Sequence, residues 1–168
     1  MKSIKISPSL LQGEVKIPPS KSISHRVIIA AGLADGISRI DNIIFSEDIK
    51  ATCEGIEALG AEIKKEEGSL IIKGNKQLYP IENEINCRES GSTLRFLIPL
   101  AILTNKSIKF SGKGRLIERP LEPYLDIFQK QGIFYKYPNE LPLTVKGFLK
   151  PGRFEIPGNI SSQFITGL

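Results

Sequence analysis

The sequence predicts an α+β fold built from repeated βαβαββ units of about 70 residues, with two units complete and a third cut short. Three serine-rich turns open apolar, helix-like runs, and their first residues, Ser20, Ser90 and Ser161, lie 70 and 71 positions apart. The segments LIIKG and LTVKG, 73 positions apart, close the first two units. Any α/β chain alternates helices with strands, but three signals in one register favour a true repeat.

The first unit follows from its hydrophobic pattern. GEVKIP (13–18) alternates as a strand does and leads into the first serine turn and helix. SEDIKATCEGIEALG (46–60) carries apolar residues at helical spacing and ends on Gly60, which predicts a second helix. AEIKKEEGSLIIKG (61–74) has the pattern of two short strands around a turn at Gly68.

The second unit repeats this order, and the third begins it. IENEINC (81–87) is predicted as a strand before the second serine turn, although its alternation is weaker. RPLEPYLDIFQKQG (119–132) predicts a helix that ends on its glycine, and IFYKYPNELPLTVKG (133–147) predicts two strands. GRFEIPG (152–158) is the expected first strand of the third unit, whose first helix stops after a turn or two. The predicted unit boundaries are 13–80, 81–151 and 152–168.

Composition narrows the class of protein. The net charge of +5 and the pI near 9.2 favour anionic partners. Scattered Lys and Arg, no Trp and 7% aromatic residues argue against nucleic-acid binding, and no apolar run is long enough to span a membrane. Cys53 and Cys87 lack CxxC spacing and His25 is the single histidine, so we expect reduced core thiols in a cytoplasmic protein, and no metal site.

The serine turns carry the chemistry. A helix N-terminus presents unpaired N–H groups and the positive end of a dipole, so it accepts anions. Arg26 and Arg95 follow the first two turns closely, and Gly91 lets a ligand approach the backbone. If the units pack about one axis, the turns meet in one cleft for a ligand with several negative charges. His25 is expected to be a surface residue of the first helix.

Four motifs resemble the N-terminal part of the 5-enolpyruvylshikimate-3-phosphate (EPSP) synthase family. They occur in the family's order and at its spacing: PPSKSISHR (18–26), ESGSTLRF (89–96), GRLIERPLEPYLD (114–126) and GNISSQFITGL (158–168). Members have two domains, each of three βαβαββ units about a pseudo-threefold axis. The resemblance therefore implies that 13–168 is an incomplete shikimate-phosphate-binding domain. It also implies that residues 1–12 form a strand that belongs to the other domain in the family. SIKISPSL (3–10) then has no obvious partner here and is expected to be loose or to pair with the sheet edge of a neighbouring molecule.

The resemblance also implies an activity and a set of site residues. The family transfers the enolpyruvyl group of phosphoenolpyruvate to the 5-hydroxyl of shikimate 3-phosphate and releases phosphate, on the route to chorismate and the aromatic amino acids. It uses no metal or organic cofactor. By resemblance, shikimate 3-phosphate is held by Lys21, Ser22, Arg26, Ser161, Ser162 and Gln163, phosphoenolpyruvate by Lys21, Gly91, Arg119 and Gln163, and Arg95 supports the loop.

Two alternatives are set against this interpretation. The related enolpyruvyl transferase that acts on UDP-N-acetylglucosamine would carry asparagine after the early lysine, where this chain has Ser22, and a loop cysteine that is missing at 118–120. A binding module without catalysis would use the basic cleft for nucleic acid or another anion. Ser92 and Phe96 depart from one common form of the family beside the phosphoenolpyruvate pocket. The family's catalytic carboxylates lie in its C-terminal domain, so the chain alone is expected to bind shikimate 3-phosphate weakly and not to turn over.

Overall fold

The computed structural model describes residues 3–10 and 12–168. Within these residues there are five α-helices, seven β-strands and one short 3₁₀ helix. In chain order they are α1 (Lys21–Leu33), β1 (Gly36–Asp41), α2 (Glu47–Ala58), β2 (Glu62–Glu66), β3 (Ser69–Gly74), β4 (Glu84–Asn86), α3 (Gly91–Ala101), β5 (Ile108–Ser111), the 3₁₀ turn (Gly114–Leu116), α4 (Glu122–Gln131), β6 (Phe134–Lys136), β7 (Leu143–Lys146) and α5 (Ser162–Gly167).

Two sheets repeat one strand order. The first sheet runs β1-β3-β2 with both pairs antiparallel, and the second runs β4-β5-β7-β6 with β5-β7 and β7-β6 antiparallel. In the first sheet β3 lies between β1 and β2, and in the second sheet β7 lies between β5 and β6. The strands β1, β2 and β3 therefore correspond to β5, β6 and β7. The second sheet has one more strand, β4, which pairs in parallel with β5. The α+β fold built from repeated units is therefore confirmed.

A serine side chain caps the start of each of the three helices expected after the serine-rich turns. The hydroxyl of Ser20 accepts a hydrogen bond from the Ile23 amide at 3.4 Å, and that of Ser90 accepts one from the Thr93 amide at 3.2 Å. Ser161 does the same at the start of α5. Each bond satisfies one of the amides that a helix start leaves unpaired, so the three serines are N-caps.

The other helix ends also follow local chemistry. Ser46 caps α2, and the acidic Glu47 and Asp48 occupy its first turn, where negative charge suits the helix dipole. Helix α4 ends at Gly132, whose φ of +69° is a left-handed conformation that glycine adopts without steric cost.

The predicted strands at 13–18 and 152–158 are wrong. Both segments are fully described and neither lies in a helix or a strand. Val15 and Ile17 are more than 80% exposed, because no sheet edge among the described residues pairs with them. Alternation shows that a segment can lie on a sheet, but the partner strand comes from tertiary structure. The first sheet consequently lacks the parallel strand that β4 supplies in the second.

The described part of the N-terminal segment is exposed. Residues 3–10 form neither helix nor strand, and Ile4 and Ile6 are both more than 85% exposed. The rest of the predicted strand 1–12 includes Met1, Lys2 and Leu11, which lie outside the described residues. Whether this segment pairs with another sheet edge stays a prediction.

The helices and sheets enclose one hydrophobic core. Cys53 and Cys87 are fully buried in it, as predicted, and burial raises the pKa of the Cys53 thiol to about 11 and that of Cys87 still further. The largest buried side chains include Tyr124, Phe128 and Phe164. Among the described residues, no helix has the length and apolar character that crossing a membrane requires.

Candidate functional site

Arg26 connects α1 to the end of α5 and to α3. In α1, Arg26 donates from Nη2 to the hydroxyl of Thr166 in α5 at 3.4 Å, and from Nη1 to the carbonyl of Ser22 at 2.9 Å. The Arg26 guanidinium also lies 5.0 Å from the ring centre of Phe96 in α3, within the range of a cation–π contact. These contacts hold an exposed arginine near three helices at once.

Gln163 joins the starts of α3 and α5. Its Oε1 accepts a hydrogen bond from Arg95 Nη1 at 2.9 Å, and its Nε2 donates to Ser92 Oγ at 2.7 Å. Two partners of opposite type fix which way the amide points. The predicted site residues Arg95 and Gln163, 68 positions apart, are therefore in direct contact, and Ser92 is an added member of the group.

Two guanidinium groups converge on Gly91. A Cβ placed on Gly91 would lie 2.8 Å from Nη1 of Arg119 and 3.4 Å from Nη1 of Arg95. Arg95 is buried, and this burial, with a further contribution from the charge of Arg119, lowers its guanidinium pKa. A side chain at position 91 would therefore displace the head of an arginine.

The arginines of this group lack acidic partners. Arg39, Arg88 and Arg153 each form an ion pair with at least one glutamate or aspartate. Within the part of the chain that the structure describes, Arg26, Arg95 and Arg119 form none. Three positive charges without carboxylates beside capped helix starts create a local field that favours an anion.

Lys21 differs from these three arginines because it forms an ion pair with Asp48. Its Nζ lies 2.6 Å from the Asp48 carboxylate, and the side chains are 59% and 27% exposed. Asp48 also lies in the first turn of α2, where its negative charge favours the helix start. The contact with Lys21 adds Asp48 to the site, and it was not foreseen because the two residues are 27 positions apart.

The serines of the site differ in what they contact. Ser22 is exposed at the second position of α1, and Ser162 is exposed at the first position of α5. Their carbonyls accept hydrogen bonds from Arg26 and Thr166, respectively. Ser161 is half-buried and uses its hydroxyl to cap α5. The two exposed hydroxyls therefore face solvent at the starts of different helices.

His25 contradicts the expectation of a surface residue. It is 1% exposed, on the same side of α1 as buried Ile28, one helical turn later. Its Nδ1 lies 2.7 Å from Thr52 Oγ1. Burial lowers its pKa to about 4, although the nearby charge of Asp48 opposes this. The ring is neutral near pH 7.

These contacts form one continuous set. The Asp48 carbonyl lies 3.3 Å from the hydroxyl of Thr93, and this contact links Lys21 to α3. Ser92 and Gln163 continue the set to α5, and Gly91 continues it to Arg119. The structure thus connects, through successive contacts, the helix starts that carry the predicted site residues.

Two open cavities differ in charge. One of about 580 Å³ is lined by Glu54, Glu57, Glu82 and Glu84, so it does not suit an anion. The other, about 420 Å³, adjoins the site between α1, α3 and α5 and is lined by Arg26, Phe96, Thr166 and apolar side chains. Neither of these two cavities gathers Lys21, Arg26, Arg95 and Arg119 together, so the candidate anion-binding site is the surface at the helix starts.

Comparison with known proteins gives a consistent result. A family model described as EPSP synthase (3-phosphoshikimate 1-carboxyvinyltransferase) matches residues 6–168. Proteins named 3-phosphoshikimate 1-carboxyvinyltransferase are 54% identical in Clostridium novyi and 53% identical in Clostridium kluyveri, with the whole of this chain covered. The chain spans about 40% of the length of these curated relatives.

Solved structures show the same fold. Two structures of EPSP synthase from Acinetobacter baumannii superpose with TM-scores of 0.77 and 0.79 at 22% and 24% identity. Each covers 92% of this chain, which corresponds to 37% of the solved chain.

Proposed function

This chain belongs to the EPSP synthase family, and from that premise we propose that it forms the shikimate 3-phosphate side of such an enzyme's active site. The reaction would transfer the enolpyruvyl group of phosphoenolpyruvate to the 5-hydroxyl of shikimate 3-phosphate and release phosphate. The observation that carries the proposal is that Arg26, Arg95 and Arg119, beside the serine-capped helix starts, have no carboxylate partner among residues 3–10 and 12–168. Both substrates are anions with phosphate and carboxylate groups, which such a surface accommodates.

Each residue has an assigned task. We assign shikimate 3-phosphate to the exposed hydroxyl of Ser22, to Arg26 and to the Ser161–Ser162 turn. Gly91 and Arg119 contact phosphoenolpyruvate, whose approach to the backbone the absence of a side chain on Gly91 permits. In full, shikimate 3-phosphate is assigned to Lys21, Ser22, Arg26, Ser161, Ser162 and Gln163, and phosphoenolpyruvate is assigned to Lys21, Gly91, Arg119 and Gln163.

Lys21 and Gln163 lie where the two substrates meet. A phosphate or carboxylate that reaches Lys21 competes with Asp48 for its ammonium group, and the exposure of this ion pair makes such an exchange inexpensive. Gln163 presents an amide whose direction Arg95 and Ser92 already fix, so it is oriented before a substrate arrives. Arg95 is thus a supporting residue.

We propose that the 168 residues alone do not turn over. General acid–base catalysis needs a positioned proton carrier. Among the described residues, the carboxylate that contacts the site is Asp48, which Lys21 already holds. The remaining groups would come from the rest of a full-length enzyme, of which this chain spans about 40% of the length. The cytoplasmic location and the absence of a nucleic-acid partner stay predictions.

The first experiment measures binding to the chain itself. We expect isothermal titration calorimetry to show saturable binding of shikimate 3-phosphate, and Arg26→Ala to weaken it by about tenfold, since a charge-assisted hydrogen bond is worth roughly 1.5–3 kcal/mol. Arg115→Ala is the matched control, because Arg115 is also exposed and forms no ion pair in the described chain. Equal effects of the two substitutions would contradict the assignment. Binding to unrelated oligonucleotides that falls steeply with salt would instead indicate a nucleic-acid module.

The second experiment supplies the missing part. In a chimeric enzyme, residues 1–168 of this chain replace the matching N-terminal part of the Clostridium novyi relative, which is 54% identical to it. We expect phosphate release from phosphoenolpyruvate that depends on shikimate 3-phosphate, and no release from the 168-residue chain alone. A folded chimeric enzyme without activity would overturn the proposed function, and turnover by the chain alone would overturn the division of roles.

A further inference from the structure

A buried row of polar groups runs beneath the candidate site. It starts at His25 in α1, passes Thr52 in α2 and Thr93 in α3, and ends at the N-cap Ser90. Each successive pair of atoms is 2.7 Å apart, and all four residues are at most 1% exposed. None of the four is among the residues assigned to the substrates.

The row connects the two starts that the substrates are proposed to span. His25 lies one turn after Lys21 and directly before Arg26. Ser90 lies directly before Gly91 and Ser92, and its hydroxyl also accepts from the Thr93 amide. A rigid link along this row would therefore set the distance between the cations of α1 and the glycine turn of α3.

One of the two possible directions of proton donation along the row runs from His25 to Ser90. A threonine hydroxyl has a single proton. If Thr93 donates to Ser90 at 2.7 Å, it accepts from Thr52, and Thr52 accepts from Nδ1–H of His25. The Asp48 carbonyl, 3.3 Å from both threonine hydroxyls, is the more distant acceptor.

The second ring nitrogen supports the same direction. His25 Nε2 is buried and has no hydrogen-bond partner among residues 3–10 and 12–168. With the proton on Nδ1, this atom is an acceptor without a donor. In the opposite direction it would be a buried N–H without an acceptor, which proteins tolerate less often. The Nδ1–H form is therefore favoured.

We propose that His25 is a positioning residue, whose Nδ1–H fixes the hydroxyl row and thereby holds the Gly91–Ser92 turn in place against the start of α1. The inference rests on the proposed function, because it assigns His25 a task in that site. The role requires a hydrogen-bond donor at the position of Nδ1, and a side chain that only fills the same space would not perform it.

Two substitutions at position 25 distinguish the effect of the hydrogen-bond donor from the effect of side-chain volume. In His25→Asn the side-chain amide nitrogen occupies the place of Nδ1 and keeps the donor to Thr52. In His25→Leu the branch fills similar space without a donor. We expect His25→Leu to weaken binding of shikimate 3-phosphate to the full chain by about tenfold, as the loss of a buried hydrogen-bonded link implies, and His25→Asn to keep it within about threefold.

A ligand-free spectrum distinguishes positioning from loss of stability. We expect the nitrogen-15 imidazole spectrum of the unsubstituted chain to show the Nδ1–H tautomer. The amide signals of Gly91 and Ser92 should move in His25→Leu and stay in place in His25→Asn. Thr52→Val, which removes the next hydroxyl, should move the same signals and add little to His25→Leu, because both break one row.

The outcomes separate this inference from the proposed function. An Nε2–H tautomer, unchanged Gly91 and Ser92 signals in both His25→Leu and Thr52→Val, or equal loss of binding in the leucine and asparagine variants would overturn the positioning role. If the unsubstituted chain fails to bind shikimate 3-phosphate, the role in the site falls with the proposed function. In that case the ligand-free spectra still decide whether the row fixes the turn. If His25→Leu does not fold, Thr52→Val carries the comparison.

Discussion

Adding one methyl group to Gly91 is the most specific perturbation of the phosphoenolpyruvate side. In Gly91→Ala the new Cβ would lie 2.8 Å from Nη1 of Arg119, whereas ordinary contacts begin at 3.4 Å. Closing that difference displaces the guanidinium by about 0.6 Å, because the flexible head of Arg119 yields more easily than the backbone. The helix start itself is expected to stay in place.

The size of the effect follows from the displaced contact. A hydrogen bond from a guanidinium to an anionic oxygen is worth roughly 1.5–3 kcal/mol, and a shift of this size removes much of it. We therefore expect the KM for phosphoenolpyruvate to rise by about 10- to 100-fold. The KM for shikimate 3-phosphate should change by less than about twofold, since Ser22, Arg26 and the α5 turn do not touch the new methyl group.

The assay is phosphate release by the chimeric enzyme at varied concentrations of each substrate. Gly158→Ala is the control, because a Cβ at Gly158 meets no atom within 4 Å. The reasoning is refuted if Gly91→Ala leaves the KM for phosphoenolpyruvate unchanged, or if it raises both KM values equally. A crystal structure of the variant would show whether Arg119 has moved.

Three further predictions concern stability. Burial lowers the pKa of His25 to about 4, so between pH 6.5 and about 4 the unfolded chain binds a proton at His25 that the folded chain does not bind. As the pH falls through this range, the free energy of unfolding measured in urea should therefore decrease by roughly 2–3 kcal/mol more for the unsubstituted chain than for His25→Asn. Phe164→Ala should cost about 3–5 kcal/mol, because Phe164 is fully buried against Tyr124 and Arg95, while the neighbouring exposed Ile165→Ala should cost less than about 0.5 kcal/mol by the same method. Tyr124→Phe removes a buried hydroxyl that donates to the Arg95 carbonyl at 2.7 Å, and calorimetry should show a Tm about 3–6 °C lower, as a loss near 1.5 kcal/mol implies.

Each of the three stability predictions can be contradicted by a specific result. Parallel pH profiles for the two chains would mean that His25 is not a buried neutral group. Similar costs for Phe164→Ala and Ile165→Ala would mean that α5 is not seated on α3. A Tm for Tyr124→Phe within 1 °C of the unsubstituted chain would mean that the hydroxyl does not link α4 to α3.

Features that depend on neighbouring residues were predicted well from sequence. A serine cap or a glycine stop acts on amides and carbonyls within one helical turn, so Ser20, Ser90, Ser161 and Gly132 could be assigned from their surroundings. The strand pair around Gly68 was predicted for the same reason. The internal repeat also allowed the order of helices and strands along the chain to be predicted, because the second unit supported each assignment in the first.

Features that depend on distant residues were not predictable in this way. GEVKIP alternates as well as a paired strand does, but Val15 and Ile17 meet no sheet edge among the described residues. The pairing of Lys21 with Asp48 and the approach of Arg95 to Gln163 need the packed helices. His25 could have been assigned to the core, because it lies three residues before Ile28 on one helical face.

The central claim is that serine-capped starts of α1, α3 and α5 bind one anionic ligand together. Titration of the nitrogen-15-labelled chain with shikimate 3-phosphate, followed by NMR, tests it most directly. The account predicts that amide signals of Lys21–Ser22, Gly91–Ser92 and Ser162–Gln163 move along a single saturation curve, while those around Glu57 and Glu82 stay in place. Shifts confined to one of the three starts, or separate curves for each, would contradict it.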